Sequence, residues 1–90
     1  MAVYLVAVQL RRPNADYGPV IGMIKNVGIA WMYYIPHVVL IQSHETAAAI
    51  NLKILKFITK EDYILVIQVT KQYQGWLPKE AWDWLNTAGY

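Results

Sequence analysis

Val8-Gln9-Leu10-Arg11-Arg12-Pro13-Asn14-Ala15-Asp16-Tyr17 is the stretch whose reading decides the fold. It closes an apolar run over residues 2–10 whose Val, Leu, Ala and Tyr content predicts a strand. It then crosses a polar loop, residues 11–15, broken at Pro13. A helix follows. Asp16 is placed to cap it, and Pro19 falls in its first turn, where a missing N–H costs nothing. Tyr17, Val20, Ile21, Ile24 and Val27 recur at helical spacing, and Gly28 is the expected stop.

Further along, residues 30–35 and 37–42 read as two apolar strands separated at Pro36. Ser43 is then the expected cap of a second helix, with Glu45 in its first turn. The core stripe of that helix is Ala47, Ile50, Ile54, Phe57 and Ile58, and Lys53, Lys56 and Lys60 line the opposite face. Residues 63–70 read as a fourth strand. The order β-α-β-β-α-β predicts an α+β, ferredoxin-like sandwich over residues 1–70, with both helices on one face of an antiparallel sheet. Residues 71–90 form a tail. Pro78 starts a short helix in which Leu77, Ala81, Trp84 and Leu85 share a face, Trp82 lies off that stripe, and residues 86–90 are expected to fray.

Ninety residues make one domain, and 57% of them are apolar. So short a chain hides only about 60–65% of its unfolded surface. Its strands are apolar on both faces: Val3, Leu5 and Ala7 on one side of the first, Tyr4, Val6, Val8 and Leu10 on the other. Two helices cover one face only. The second face needs the Trp-rich tail, a second subunit, or both, so a homodimer is the expected assembly. The longest apolar stretch, residues 29–41, is too short for a bilayer span and contains Pro36 and His37. The opening Met-Ala-Val-Tyr-Leu lacks the marks of a secretory leader. With no cysteine to form a disulfide or a thiolate metal site, a cytoplasmic chain with no membrane partner is expected. The formal charge of +2 permits a phosphate partner without demanding one.

The junction at residues 8–17 resembles that of a small ferredoxin-like family: the second CRISPR-associated protein and its relatives, including the SinR-like branch and the VapD-type endoribonucleases. The tail Gly75-Trp76-Leu77-Pro78-Lys79-Glu80-Ala81-Trp82 is similar to a C-terminal motif of the SinR-like branch. The resemblance runs along nearly the whole chain. It implies a dimeric fold, a nucleic-acid partner, and a strand-end aspartate that binds a metal for phosphodiester cleavage. That position is Gln9 here, an amide that brings no charge to offset a cation. Residues 35–41 align with a family segment reading Leu-Asp-Ser-Thr-Trp-Leu-Ile. Pro36, His37 and Val39 replace its Asp, Ser and Trp.

Gln9 is therefore read as a degenerate site position, with no catalytic residue, no metal and no cofactor expected. Asp16, the nearest carboxylate, is more often a helix cap than a ligand. His37 reads as a turn residue and His44 as a surface one; their spacing suits no zinc site. Arg11 and Arg12, with Asn14 beside them, are the candidate contacts to nucleic acid, because arginine grips phosphate with paired bonds. The lysine stripe is more often a solvated face, and Trp31, Tyr33 and Tyr34 more often core or interface than a stacking platform. The leading expectation is a non-catalytic homodimeric scaffold, binding duplex DNA, RNA or a protein. Two alternatives stay open. One is a metal-dependent endonuclease using Asp16 or another carboxylate. The other is a toxin–antitoxin or phage-borne protein-interaction module.

Overall fold

A computed structural model of the chain describes residues 1–88. Eight apolar-rich residues form strand β1 (Ala2–Gln9), followed by helix α1 (Gly18–Val27), strands β2 (Ala30–Ile35) and β3 (Val38–Ser43), and helix α2 (Ala47–Ile54). A 3₁₀ turn, Leu55–Phe57, extends α2, and strand β4 (Tyr63–Gln68) and helix α3 (Lys79–Thr87) complete the order. The four strands make one antiparallel sheet in the order β2-β3-β1-β4. This is a small α+β architecture, compatible with the ferredoxin-like arrangement.

Alternation along β1 sorts its side chains between two faces. Tyr4, Val6 and Val8 join Val39 and Ile41 of β3 on the first. Val20, Ile21 and Ile24 of α1 and Ile50 and Ile54 of α2 close over them, so both helices lie on one face, as the element order predicts. Each fully buried Ile or Val there contributes about 1.5–3 kcal/mol of transfer free energy. On the second face Met32, Ala81 and Leu85 form a smaller cluster with Leu40, Tyr73, Leu77, Trp82 and Trp84. The tail thus packs on the chain's own sheet, over β2 and β3.

Several local expectations are corrected. Thr46, not Ser43, caps α2: its hydroxyl accepts from the Ala49 amide, while Ser43 is buried and accepts from the Glu45 amide. Phe57 is exposed, because the chain tightens to 3₁₀ at Leu55 and rotates it off the Ile50–Ile54 stripe. Trp82 does not lie off the tail's packed face; it meets Tyr73 with ring centroids 6.0 Å apart. The tail does not fray from residue 86: α3 continues to Thr87, Ala88 is buried, and its carbonyl accepts from the Gln42 side chain. The remainder of that expectation, residues 89–90, lies outside the described residues. Gly28 ends α1 in extended backbone (φ −88°, ψ 160°), so a left-handed cap is not its purpose. A Cβ there would stand 2.8 Å from the Ile41 Cβ, and it is this close approach of α1's end to β3 that requires glycine.

One irregularity shapes the second face. Met32 pairs with Leu40 and Ile35 with Val38, so β2 carries one extra residue between them. Such a bulge reverses the side-chain parity of the strand. Met32 and Ile35 consequently face the same way, toward the tail.

Candidate functional site

At the end of β1, Gln9 pairs in register with Tyr63 at the start of β4 and is exposed on the helix-free face. A shallow depression beside it is bordered by Ala7, Tyr17, His37, Val38 and Leu65. The Tyr17 and His37 rings stack with centroids 3.7 Å apart and planes within 5°. His37 sits in the β2–β3 turn in a left-handed conformation (φ 66°), its carbonyl accepting from the Val8 amide. The Tyr17 hydroxyl accepts from the Leu10 amide at 2.9 Å. Tyr17 and His37 are therefore both used to fix the loops around the strand end.

The two arginines part company. Arg11 reaches across to Tyr63: its guanidinium donates to the phenol oxygen at 2.7 Å and lies 4.6 Å from the ring centroid. Arg12 turns to Asp62, with an ion pair of 3.1 Å and a second donor at 3.3 Å. The Asp62 side chain is fully buried, while that of Arg12 is 37% exposed. Asp62 also accepts from the Arg11 amide at 3.0 Å and from the Thr59 amide at 2.8 Å. Burial opposes ionisation of this carboxyl. The Thr59 and Arg11 amides and the Arg12 guanidinium outweigh it, and the pKa is lowered from 3.8 to about 2.

Asp62 is the residue that sequence reasoning missed. It clasps the loop after β1 to the turn before β4. Thr59 and Asp62, three apart in a polar turn, are the one local sign of it, since such side chains bond nearby amides. Asn14 is exposed in the loop in left-handed backbone (φ 56°). Asp16 acts as a cap from one position earlier than a standard N-cap. Tyr17 is the cap residue, and Asp16 Oδ1 accepts from the Gly18 amide at 2.9 Å.

The arrangement is poor in hydrolytic chemistry. Gln9 offers an amide oxygen, and Asp62 is saturated by its own donors. Among the described residues no three of His, Asp and Glu gather where they could hold a metal ion. Lys53, Lys56 and Lys60 are exposed; Lys53 pairs with Glu45. Lys25 is engaged by aromatic faces, 4.1 Å from the Trp31 ring and 5.1 Å from that of Tyr33.

What the fold leaves available is apolar. The register Leu5–Ile67, Ala7–Leu65 and Gln9–Tyr63 sets these side chains side by side on the helix-free face, while the tail packs over β2 and β3. Tyr63 is 58%, Leu65 58% and Ile67 51% exposed. Between this strip and α3 lies an apolar pocket of about 170 Å³ lined by Leu5, Met32, Ile35, Leu40, Tyr73 and Trp82, among others. Beside it, Trp76 is 99% exposed.

Comparison of the chain with protein-family models, with curated proteins and with solved structures finds no match. Among the described residues no helix is long and apolar enough to cross a membrane.

Proposed function

We propose that this chain is a non-catalytic scaffold of the ferredoxin-like type that pairs with a second copy of itself through the helix-free sheet face. The observation that carries the reading is the exposed row Tyr63, Leu65 and Ile67 on β4, adjoining Leu5 and Ala7 of β1. A contiguous apolar strip of this kind is the usual mark of an interaction surface. The amide at Gln9 and the saturated carboxylate of Asp62 support a role without hydrolysis. In this reading the chain is a relative of the CRISPR-associated and SinR-like family, one that retains the dimer and has lost the metal-binding aspartate. Any contact with nucleic acid falls to Arg11 and Asn14, because Arg12 serves the Asp62 clasp.

Sedimentation at micromolar concentration tests the proposal. The expected mass is twice 10.4 kDa. Leu65→Asp buries a charge in the interface and should yield a folded monomer with unchanged circular dichroism. A wild-type chain that stays monomeric and soluble at millimolar concentration would overturn the reading.

A further inference from the structure

The apolar pocket and Trp76 are neighbours without being partners. Gln74 and Leu77, on either side of the Gly75-Trp76 pair, contribute to the pocket wall, yet the Trp76 ring stands wholly in solvent. A tryptophan gains more from burial than any other side chain of this tail, and a fully exposed one beside an open apolar pocket is unpartnered in the isolated chain. We propose that Trp76 of each copy fills the pocket of the other, as a reciprocal anchor of the dimer. This inference rests on the self-pairing proposed above and names its central contact.

Size, area and symmetry each argue for a second copy as the occupant. The pocket holds about 170 Å³. An apolar cavity of roughly 150 Å³ already admits a benzene ring, so this one admits the body of an indole. Tyr34 and Ile35 in its wall, Trp76 beside it, and Tyr63, Leu65 and Ile67 along β4 are large apolar side chains of this face that stand exposed. Together they offer on the order of 800 Å², about what one partner contributes to a standard stable interface. A two-fold interface demands that a group and its receptor lie on the same patch of each protomer, so that both contacts form at once. Trp76 and the pocket meet that demand. The β2 bulge contributes as well, since it is what turns both Met32 and Ile35 into the pocket wall.

The test compares dimer dissociation of the wild type, Trp76→Ala, Trp76→Phe and Leu65→Asp by sedimentation, with indole as a soluble competitor. Trp76 touches little of its own chain, so Trp76→Ala should leave the thermal midpoint of the monomer unchanged. It removes two anchors per dimer, each at least of hot-spot size, and should weaken association by about 10³-fold. Trp76→Phe should recover part of that loss, and millimolar indole should dissociate the wild type. A Trp76→Ala dimer as tight as wild type, beside a Leu65→Asp monomer, would overturn the anchor and leave the face pairing intact. A wild type that never dimerises would overturn both. A difference in fluorescence between wild type and Trp76→Phe that reports burial independently of concentration would show the ring entering its own pocket, and indole binding without dissociation would make the pocket a small-ligand site; either result defeats the proposal.

Discussion

Alanine at Gly28 and alanine at Gly22 are expected to move stability in opposite directions, although both replace a glycine in or beside α1. At Gly28 the backbone is open to any residue (φ −88°, ψ 160°). Alanine there gains about 0.4–1 kcal/mol by restricting the unfolded chain. The new Cβ, however, meets the Ile41 Cβ at 2.8 Å, the Ala30 carbonyl at 3.0 Å and the Gln42 carbonyl at 3.2 Å. Ile41 is fully buried in the main core, and the Gln42 carbonyl already accepts from the Ile29 amide at 2.7 Å. Neither can withdraw without disturbing the sheet, and overpacking of this kind costs roughly 1–3 kcal/mol. The net loss centres on ~1.3 kcal/mol, or a fall in Tm of roughly 5–10 °C for a domain of this size. Gly22 is mid-helix with no atom within 4 Å of a Cβ. Alanine there should gain about 0.5–1 kcal/mol and raise Tm by roughly 2–8 °C. Thermal melts followed by circular dichroism, at a concentration where the association state is known, read both values. A Gly28→Ala protein as stable as Gly22→Ala would mean that α1's end does not press on β3 as described.

The Asp62 clasp makes acid stability sensitive to one residue. Its folded pKa of about 2 lies below the ordinary 3.8, so its contribution is present above about pH 4 and disappears as pH falls through about 2. The Tm gap between wild type and Asp62→Asn should therefore shrink steadily over that window; a constant gap would refute the assignment. Arg12→Ala leaves Asp62 without its cation and should lower Tm, and a Tm unmoved by that change would count against the clasp. Arg11→Ala removes the exposed Tyr63 hydrogen bond and the cation–π contact with its ring, and should change stability by no more than about 1 kcal/mol. If the loop does meet phosphate, Arg11→Ala should flatten the salt dependence of duplex DNA binding, measured by anisotropy, by about 0.9 for each phosphate that Arg11 neutralises.

Strand and helix order was legible because the apolar runs are long and the breakers few. Tyr17, Val20, Ile21, Ile24 and Val27 announced the buried face of α1 by spacing alone, and all five pack as that spacing predicts. The two-sided character of β1 said that the second face needs a cover, the tail, a second subunit or both; the tail covers β2 and β3 of its own sheet. What escaped was set by contacts between distant segments. Arg12 and Asp62 are 50 residues apart, and the Thr59–Asp62 spacing marks only the turn, not its distant cation. Phe57 fitted the helical period until the chain tightened, and Gly28 resembled a turn glycine because sequence does not display the Ile41 side chain it must admit. At the candidate site the neutral amide of Gln9 at the end of β1 was readable, while the pocket depended on a bulge in β2 that no residue type there signals.

The sheet order also fixes the timetable by which the molecule can form. β1 is synthesised first among the strands but lies inside the sheet, between β3 and β4. One of its edges stays open until residue 43 has been made and the other until residue 68. At roughly 5–20 residues per second, Ala2–Gln9 waits on the order of 3–12 s for its last neighbour. Once it has emerged from the ribosome, a run of Val, Leu and Tyr presents unpaired amides and carbonyls until those neighbours arrive. The strand that ends between two neighbours is thus the one that waits longest for both partners, and its long-range pairing is what exposes it to aggregation while it waits.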